Sequence, residues 1–250
     1  RLPAPNLKTL AGLTNYVEEH GCDIGIATDG DADRLGVIDD KAEFLHPNKI
    51  LVLLYYYLMR YRGWRGAAVR NLATTHLLDR IAEDFGETCY EVPVGFKYVS
   101  AKMVETGAII GGESSGGLTV RGHIQGKDGI YAAALLVEAI AKTGRRLSAL
   151  WDEITQKYGA AEMAEHDFHF SSAERTRIFK LLMEDKQLPE FPCEIAKVSY
   201  MDGCKVYFKN GGWVIARFSG TEPLLRVFCE MDTMENAGKI AKILTEFLSL

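Results

Sequence analysis

Three aspartates at alternate positions stand in the run Asp29-Gly30-Asp31-Ala32-Asp33-Arg34. On a tight loop their carboxylates can converge on one cation. Hard divalent ions such as Mg²⁺ take oxygen ligands of this kind, with solvent or a substrate phosphate completing the octahedron. Carboxylates this close repel one another unless a cation or Arg34 compensates. The run opens like an EF-hand loop, which needs Gly at its sixth position and usually Glu at its twelfth. Those positions are Arg34 and Asp40, and a strand pattern follows, so that reading is rejected. A phosphatase using Asp29 as nucleophile and Asp31 as acid/base stays open on this motif alone.

A second candidate is Gly111-Gly112-Glu113-Ser114-Ser115-Gly116-Gly117. Glycine lets backbone approach a ligand closely, and the Glu113 carboxylate and Ser115 hydroxyl, two residues apart, suit vicinal sugar hydroxyls. By itself the segment reads better as a plain Gly-rich turn. A third is Arg217-Phe218-Ser219-Gly220-Thr221-Glu222-Pro223, with Arg226 just beyond. A guanidinium fork, two hydroxyls and free backbone N–H groups make a phosphate cradle. Its plainer reading is a β-turn whose Arg217 pairs with Glu222.

The elements around these motifs follow from periodicity. Leu7, Leu10, Leu13 and Val17 predict a helix ending near Gly21. Strands are expected at Ile24–Thr28, Leu35–Ile38, Ala67–Leu72, Thr88–Val92 and Ala108–Gly111, alternating with helices at Pro47–Tyr61, Thr75–Phe85, Phe96–Glu105 and Asp128–Lys142. Such alternation predicts an α/β domain with a mixed, mainly parallel sheet covered by helices, its ligands at the loops beyond the strand C-termini. After a helix at Ser148–Tyr158 the rhythm changes. A strand at Glu162–Phe170, a helix at Ala173–Met183, a Pro-containing linker, four strand-like runs and a closing amphipathic helix predict a smaller α+β domain with an antiparallel sheet. The boundary is expected near residue 160. Tyr55-Tyr56-Tyr57 lies inside an apolar helix and reads as core, and His76 and His123 read as structural or surface histidines.

Taken together, in this order and spacing, the three motifs resemble the α-D-phosphohexomutases of the phosphoglucomutase/phosphomannomutase type, from about Pro5 to the C-terminus. Val94-Gly95-Phe96-Lys97 and Gly126-Lys127-Asp128-Gly129 are similar to further family segments. The resemblance implies that Asp29, Asp31 and Asp33 hold Mg²⁺ and that Arg34 adjoins the reacting phosphate. It implies that Glu113 and Ser115 read sugar hydroxyls, and that Arg217, Ser219, Gly220 and Thr221 hold the phosphate not being transferred, with Arg226 beside them. Lys97 and Lys127 become ligand contacts. The partners implied are hexose phosphates and hexose bisphosphates. Residues 1–41 then read as the tail of the family's second domain, 42–160 as its sugar-binding third and 161–250 as its phosphate-binding fourth.

Two departures qualify the match. The family's phosphorylated serine sits in a Thr-Ala-Ser-His-Asn-like loop of an upstream domain, and none of the nine serines here is followed by His-Asn. The chain also begins at Arg1 without an initiator Met. It is therefore read as the C-terminal portion of a mutase whose intact chain supplies N-terminal domains, and as inactive by itself. The alternative is a stand-alone sugar-phosphate-binding module. Second, relatives that accept mannose or glucosamine phosphates often carry His where Gly117 stands, which leans the reading toward glucose.

Bulk properties are those of a globular protein rather than a disordered one. The chain is 47% hydrophobic and 25% charged, a globular balance, and its net charge of -5 with no polybasic run excludes nucleic acid as a partner. Its longest apolar stretches fall short of the ~20 residues of a membrane span. Five scattered cysteines with no C-x-x-C pair point to reduced thiols and a cytoplasmic protein.

Overall fold

The computed structural model describes residues 4–220 and 222–250, which divide into two compact units between Gly159 and Ala160. Thr221, one of the residues assigned to the phosphate loop, lies outside the described residues.

The first unit opens with helix α1 (Ala11–His20), followed by β1 (Gly25–Thr28), β2 (Leu35–Ile38) and β3 (Phe44–Leu45). These strands form an antiparallel meander in the order β1-β2-β3, with Thr28 opposite Leu35. The acidic run is thus the connection of a hairpin, and its flanking strands lie in a sheet separate from the parallel one. Leu10, Val17 and Ile38 seal α1 against this meander.

Helix α2 (Pro47–Arg60) starts with Pro47 in its first turn and with the His46 side chain accepting from Asn48 N–H. Every residue from Ile50 to Met59 is buried, because a helix apolar on all faces needs neighbours on all faces. The tyrosine run belongs to this core. Its hydroxyls donate to Gly66 O (3.2 Å), Glu153 Oε1 (2.6 Å) and Glu138 Oε1 (2.5 Å), satisfying the one polar atom each ring carries inward.

Around α2 run β4 (Ala68–Asn71), α3 (Leu77–Asp84), β5 (Cys89–Val92), α4 (Phe96–Thr106), β6 (Ile110–Gly112), β7 (Leu118–Val120), α5 (Gly129–Thr143) and α6 (Leu147–Tyr158). The sheet order is β5-β4-β6-β7; β4 pairs parallel with β5 and β6, while β7 pairs antiparallel with β6. Central β4 is buried along its whole length, including Arg70. Arg70 Nε and Nη2 donate to Asp79 of α3 at 2.7 and 2.9 Å, and Nη1 donates to Glu91 of β5 at 2.6 Å. One guanidinium therefore fastens a helix and a neighbouring strand to the middle of the sheet.

The second unit comprises β8 (Glu162–His169), α7 (Ser172–Phe179), β9 (Ile195–Ser199), β10 (Cys204–Phe208), β11 (Trp213–Phe218), β12 (Leu224–Met231) and α8 (Met234–Phe247). Its sheet is antiparallel throughout, in the order β8-β12-β11-β10-β9. A capping box between Ser171 and Glu174 starts α7, and the expected helix to Met183 runs on past Phe179 as a π-helical turn over Lys180–Glu184. Val206, Val214, Val227 and Cys229 pack with Ile178, Leu182, Ile240 and Leu244 in this unit's core. No helix among the described residues is long and apolar enough to cross a membrane.

Candidate functional site

The loop between β1 and β2 brings Asp29, Asp31 and Asp33 together, one carboxylate oxygen of each lying within 4.8 Å of the others. Asp29 organises the loop. Its Oδ1 accepts from the N–H groups of Asp33 and Arg34, each at 3.1 Å, and its Oδ2 accepts from Arg34 Nε at 2.6 Å. Burial pushes the Asp29 carboxyl up, but the Arg34 hydrogen bonds and charge outweigh it and hold it below the usual carboxylate range. Asp31 is exposed and makes no hydrogen bond among the described residues. Asp33 pairs through Oδ2 with Lys127, while its Oδ1 is buried, without a hydrogen-bond partner, and 3.5 Å from Arg34 Nε. An all-oxygen donor set with one carboxylate oxygen left bare in a buried position fits a hard divalent cation.

The start of α5 shapes this loop from outside. Gly129 N–H donates to Ala32 O at 2.9 Å, and a Cβ at Gly129 would stand 2.9 Å from Arg34 O and 3.0 Å from Ala32 O. Only glycine permits that approach. Asp128 caps the helix, with Oδ1 accepting from Tyr131 N–H at 2.8 Å and Oδ2 lying 2.7 Å from His123 Nε2. The Tyr131 and His123 hydrogen bonds hold the Asp128 carboxyl below its ordinary range. His123 also stacks on Tyr131 at 3.9 Å between ring centroids.

The sugar-loop candidate follows β6. Glu113 is buried, and its Oε1 accepts from Asn71 Nδ2 and from Gly95 N–H, each at 3.0 Å. Asn71 Oδ1 in turn accepts from Ala73 N–H and Thr74 Oγ1, each at 2.9 Å, and Thr74 Oγ1 accepts from Ser114 N–H at 3.0 Å. Glu113 Oε2 takes no part in this network. Ser115 is exposed. The Gly95 bond ties the sugar loop to the start of α4, where Lys97 is exposed with its ammonium 4.9 Å from the Tyr98 ring. Asn71 and Thr74 were missed in the sequence; their one signal is position, at and just beyond the C-terminal end of the central parallel strand. His76, also in this segment, lies 3.7 Å from Glu91 Oε2.

In the second unit, Arg217 and Arg226 are register partners across β11 and β12. Like charges placed opposite one another are unfavourable unless anions meet them. Arg217 Nε donates to Asp202 Oδ2 at 2.8 Å, Arg226 Nη2 donates to Glu222 Oε2 at 3.4 Å, and Asp167 is 3.8 Å from Arg226 Nε. Arg226 Nε is buried without a hydrogen-bond partner. Arg217 thus pairs with Asp202, which the sequence reading did not single out. Ser219 N–H donates to Leu224 O at 2.8 Å, which closes the turn, and Gly220 has open space where a Cβ would point. Two guanidiniums side by side with an unsatisfied N–H suit a dianion.

Comparison with known proteins bears on these motifs. Models of phosphoglucomutase/phosphomannomutase match this chain in three places: alpha/beta/alpha domain II at residues 1–42, alpha/beta/alpha domain III at 46–158 and the C-terminal domain at 179–246. The chain is similar to the "Phosphoglucomutase/phosphomannomutase" of Thermococcus kodakarensis, with 35% identity over 97% of this chain and 51% of that one. It is 32% identical to the "Probable phosphoglucosamine mutase" of Pyrococcus furiosus over 95% of this chain and 50% of that one. Among solved structures, the "putative phosphomannomutase" of Thermus thermophilus superposes with a TM-score of 0.81 at 30% identity, covering 99% of this chain and 51% of that one. The chain spans about half the length of these relatives. With three domain models of one family matched in order over most of its length, the chain belongs to the α-D-phosphohexomutase family.

Proposed function

We propose that this chain carries the metal-, sugar- and phosphate-binding parts of a mutase that interconverts hexose 1-phosphates and 6-phosphates. The observation that carries the reading is the aspartate loop, whose three carboxylates converge and leave Asp33 Oδ1 buried and bare. Asp29, Asp31 and Asp33 would hold Mg²⁺, which when bound neutralises the charge of a phosphoryl group in transfer. Arg34, already clamped on Asp29, would add a second positive charge beside the reacting phosphate. Glu113, fixed through Oε1, would offer Oε2 to a sugar hydroxyl, with Ser115 beside it. Arg217 and Arg226 would hold the phosphate that is not reacting, Ser219, Gly220 and Thr221 contributing from the same loop. Lys97 is assigned to the ligand. With Asp29 engaged by three donors, an Asp29 nucleophile has little to recommend it.

In the intact enzyme a phosphoserine would give its phosphoryl group to one end of the sugar monophosphate and recover the other from the resulting bisphosphate. The 250 residues contain no serine followed by His-Asn. By themselves they are expected to give no turnover in a coupled assay with added glucose 1,6-bisphosphate. Turnover above a contaminant-free control would overturn this assignment of roles. Gly117 in place of His favours glucose as the sugar.

The phosphate loop should act alone, because its parts are local to β11, β12 and their turn. Inorganic phosphate or sulfate should bind in the ~millimolar range expected of a few exposed charge-assisted bonds. Arg217→Ala should abolish this binding and Glu113→Ala should leave it unchanged. Chemical-shift titration reads the result; perturbation confined to residues 29–34 would mean that the loop has been assigned the wrong role.

A further inference from the structure

We infer that Lys127 is a positioning residue for the metal loop, and that the bare Gly117 backbone keeps its side chain in place. The inference rests on the reading of Asp29, Asp31 and Asp33 as metal ligands. It adds a residue pair in which a glycine of the sugar loop governs affinity for the cation.

The geometry begins at Asp33. Lys127 Nζ pairs with Oδ2, while Oδ1 stays buried without a hydrogen-bond partner. Holding one oxygen and leaving the other bare is what an outer partner does when it aims a ligating carboxylate. Arg34 is poorly placed to do the same, since its Nε is 2.6 Å from Asp29 Oδ2 and 3.5 Å from Asp33 Oδ1. Without Lys127 the Asp33 carboxylate would be free to rotate and satisfy Oδ1 elsewhere.

The lysine is confined along its length. Its root precedes Asp128, which is hydrogen-bonded to Tyr131 N–H and His123. Its stem lies on the backbone of Gly117, where a Cβ would overlap Lys127 Cδ and stand 2.8 Å from Cγ. Its head is on Asp33. A four-carbon stem held in this way has already lost the rotamer freedom that would otherwise oppose the pairing. Any side chain at 117 must push the stem out, and with it the ammonium from Asp33.

Mn²⁺ binding to the 250-residue chain, followed by the electron spin resonance of the free ion, tests this without any assay of activity. Lys127→Met and Gly117→Ala should each weaken Mn²⁺ about tenfold, the lower end of the range for outer-shell partners. The double variant should be no weaker than either single one, because both remove the same pairing. Gly126→Ala, whose Cβ would meet nothing closer than Ile124 Cδ1 at 3.8 Å, should bind like the parent. Unchanged affinity in Gly117→Ala, additive losses in the double variant, or tighter binding in Lys127→Met, the mark of a competing cation, would each overturn the inference while leaving the metal site intact. Parent protein that binds no Mn²⁺, or binds it indifferently to Asp31→Asn, would overturn the metal reading and the inference together.

Discussion

Replacing Arg70 with methionine should destabilise the first unit by about 3 kcal/mol, read as a lowered urea midpoint. Arg70 is 2% exposed, and its guanidinium makes three short hydrogen bonds to two carboxylates. Methionine fills similar volume and leaves both carboxylates in place without their cation. Removing one member of a buried pair costs about 3–5 kcal/mol, and the low end applies because Asp79 keeps 39% of its side chain exposed. The cluster also sets an acid limit. Burial raises the Asp79 carboxyl, but Arg70's charge and hydrogen bonds overcome this and hold it below its ordinary 3.8. A group depressed in the folded state contributes stability above its unfolded value and loses it as pH falls through the lower, folded one. That part of the acid unfolding should disappear in Arg70→Met.

The second large effect is at Asp29. Asp29→Ala should abolish Mn²⁺ binding and also cost about 2–3 kcal/mol, because three donors lose a charged acceptor at once. Asp31→Ala should abolish Mn²⁺ binding and change stability by less than about 0.5 kcal/mol, since Asp31 is exposed and unbonded among the described residues. Parallel Mn²⁺ titrations and urea curves separate the two. Equal stability losses at both positions would mean that Asp29 does not organise the loop.

What could be read from the sequence was what is local. Asp29–Arg34 carries its ligands within six residues, and the Arg217 motif lies within one turn and its flanking strands, so residue type and spacing sufficed. The hidden parts are joined across long stretches of chain. Asn71 meets Glu113 across 42 residues, and Gly95 meets it across 18. Nothing in either segment encodes the other. Strands β3 and β7 span two and three residues, too short for an alternation to register. The hairpin pairing of β1 with β2 was not legible because the alternating pattern of strand and helix resumes so soon after it. The π-helical turn after α7 escaped because its apolar spacing passes for continued α-helix.

The bonds from α5 to the acidic loop also decide where the polypeptide can be cut. Residues 1–42 and 46–158 match separate domain models, yet both lie in one compact unit. Several ties cross that seam, among them Gly129 to Ala32, Lys127 to Asp33, and Ser148 Oγ to Asp40 Oδ2 at 2.7 Å. Expressing the piece from residue 46 onward would take the acidic loop away from the start of α5, and the piece before it would hold the aspartates in a hairpin without its mould. The border between the two compact units is instead the exposed Gly159–Ala160 junction. Family bookkeeping draws one border through this protein; its hydrogen bonds draw another.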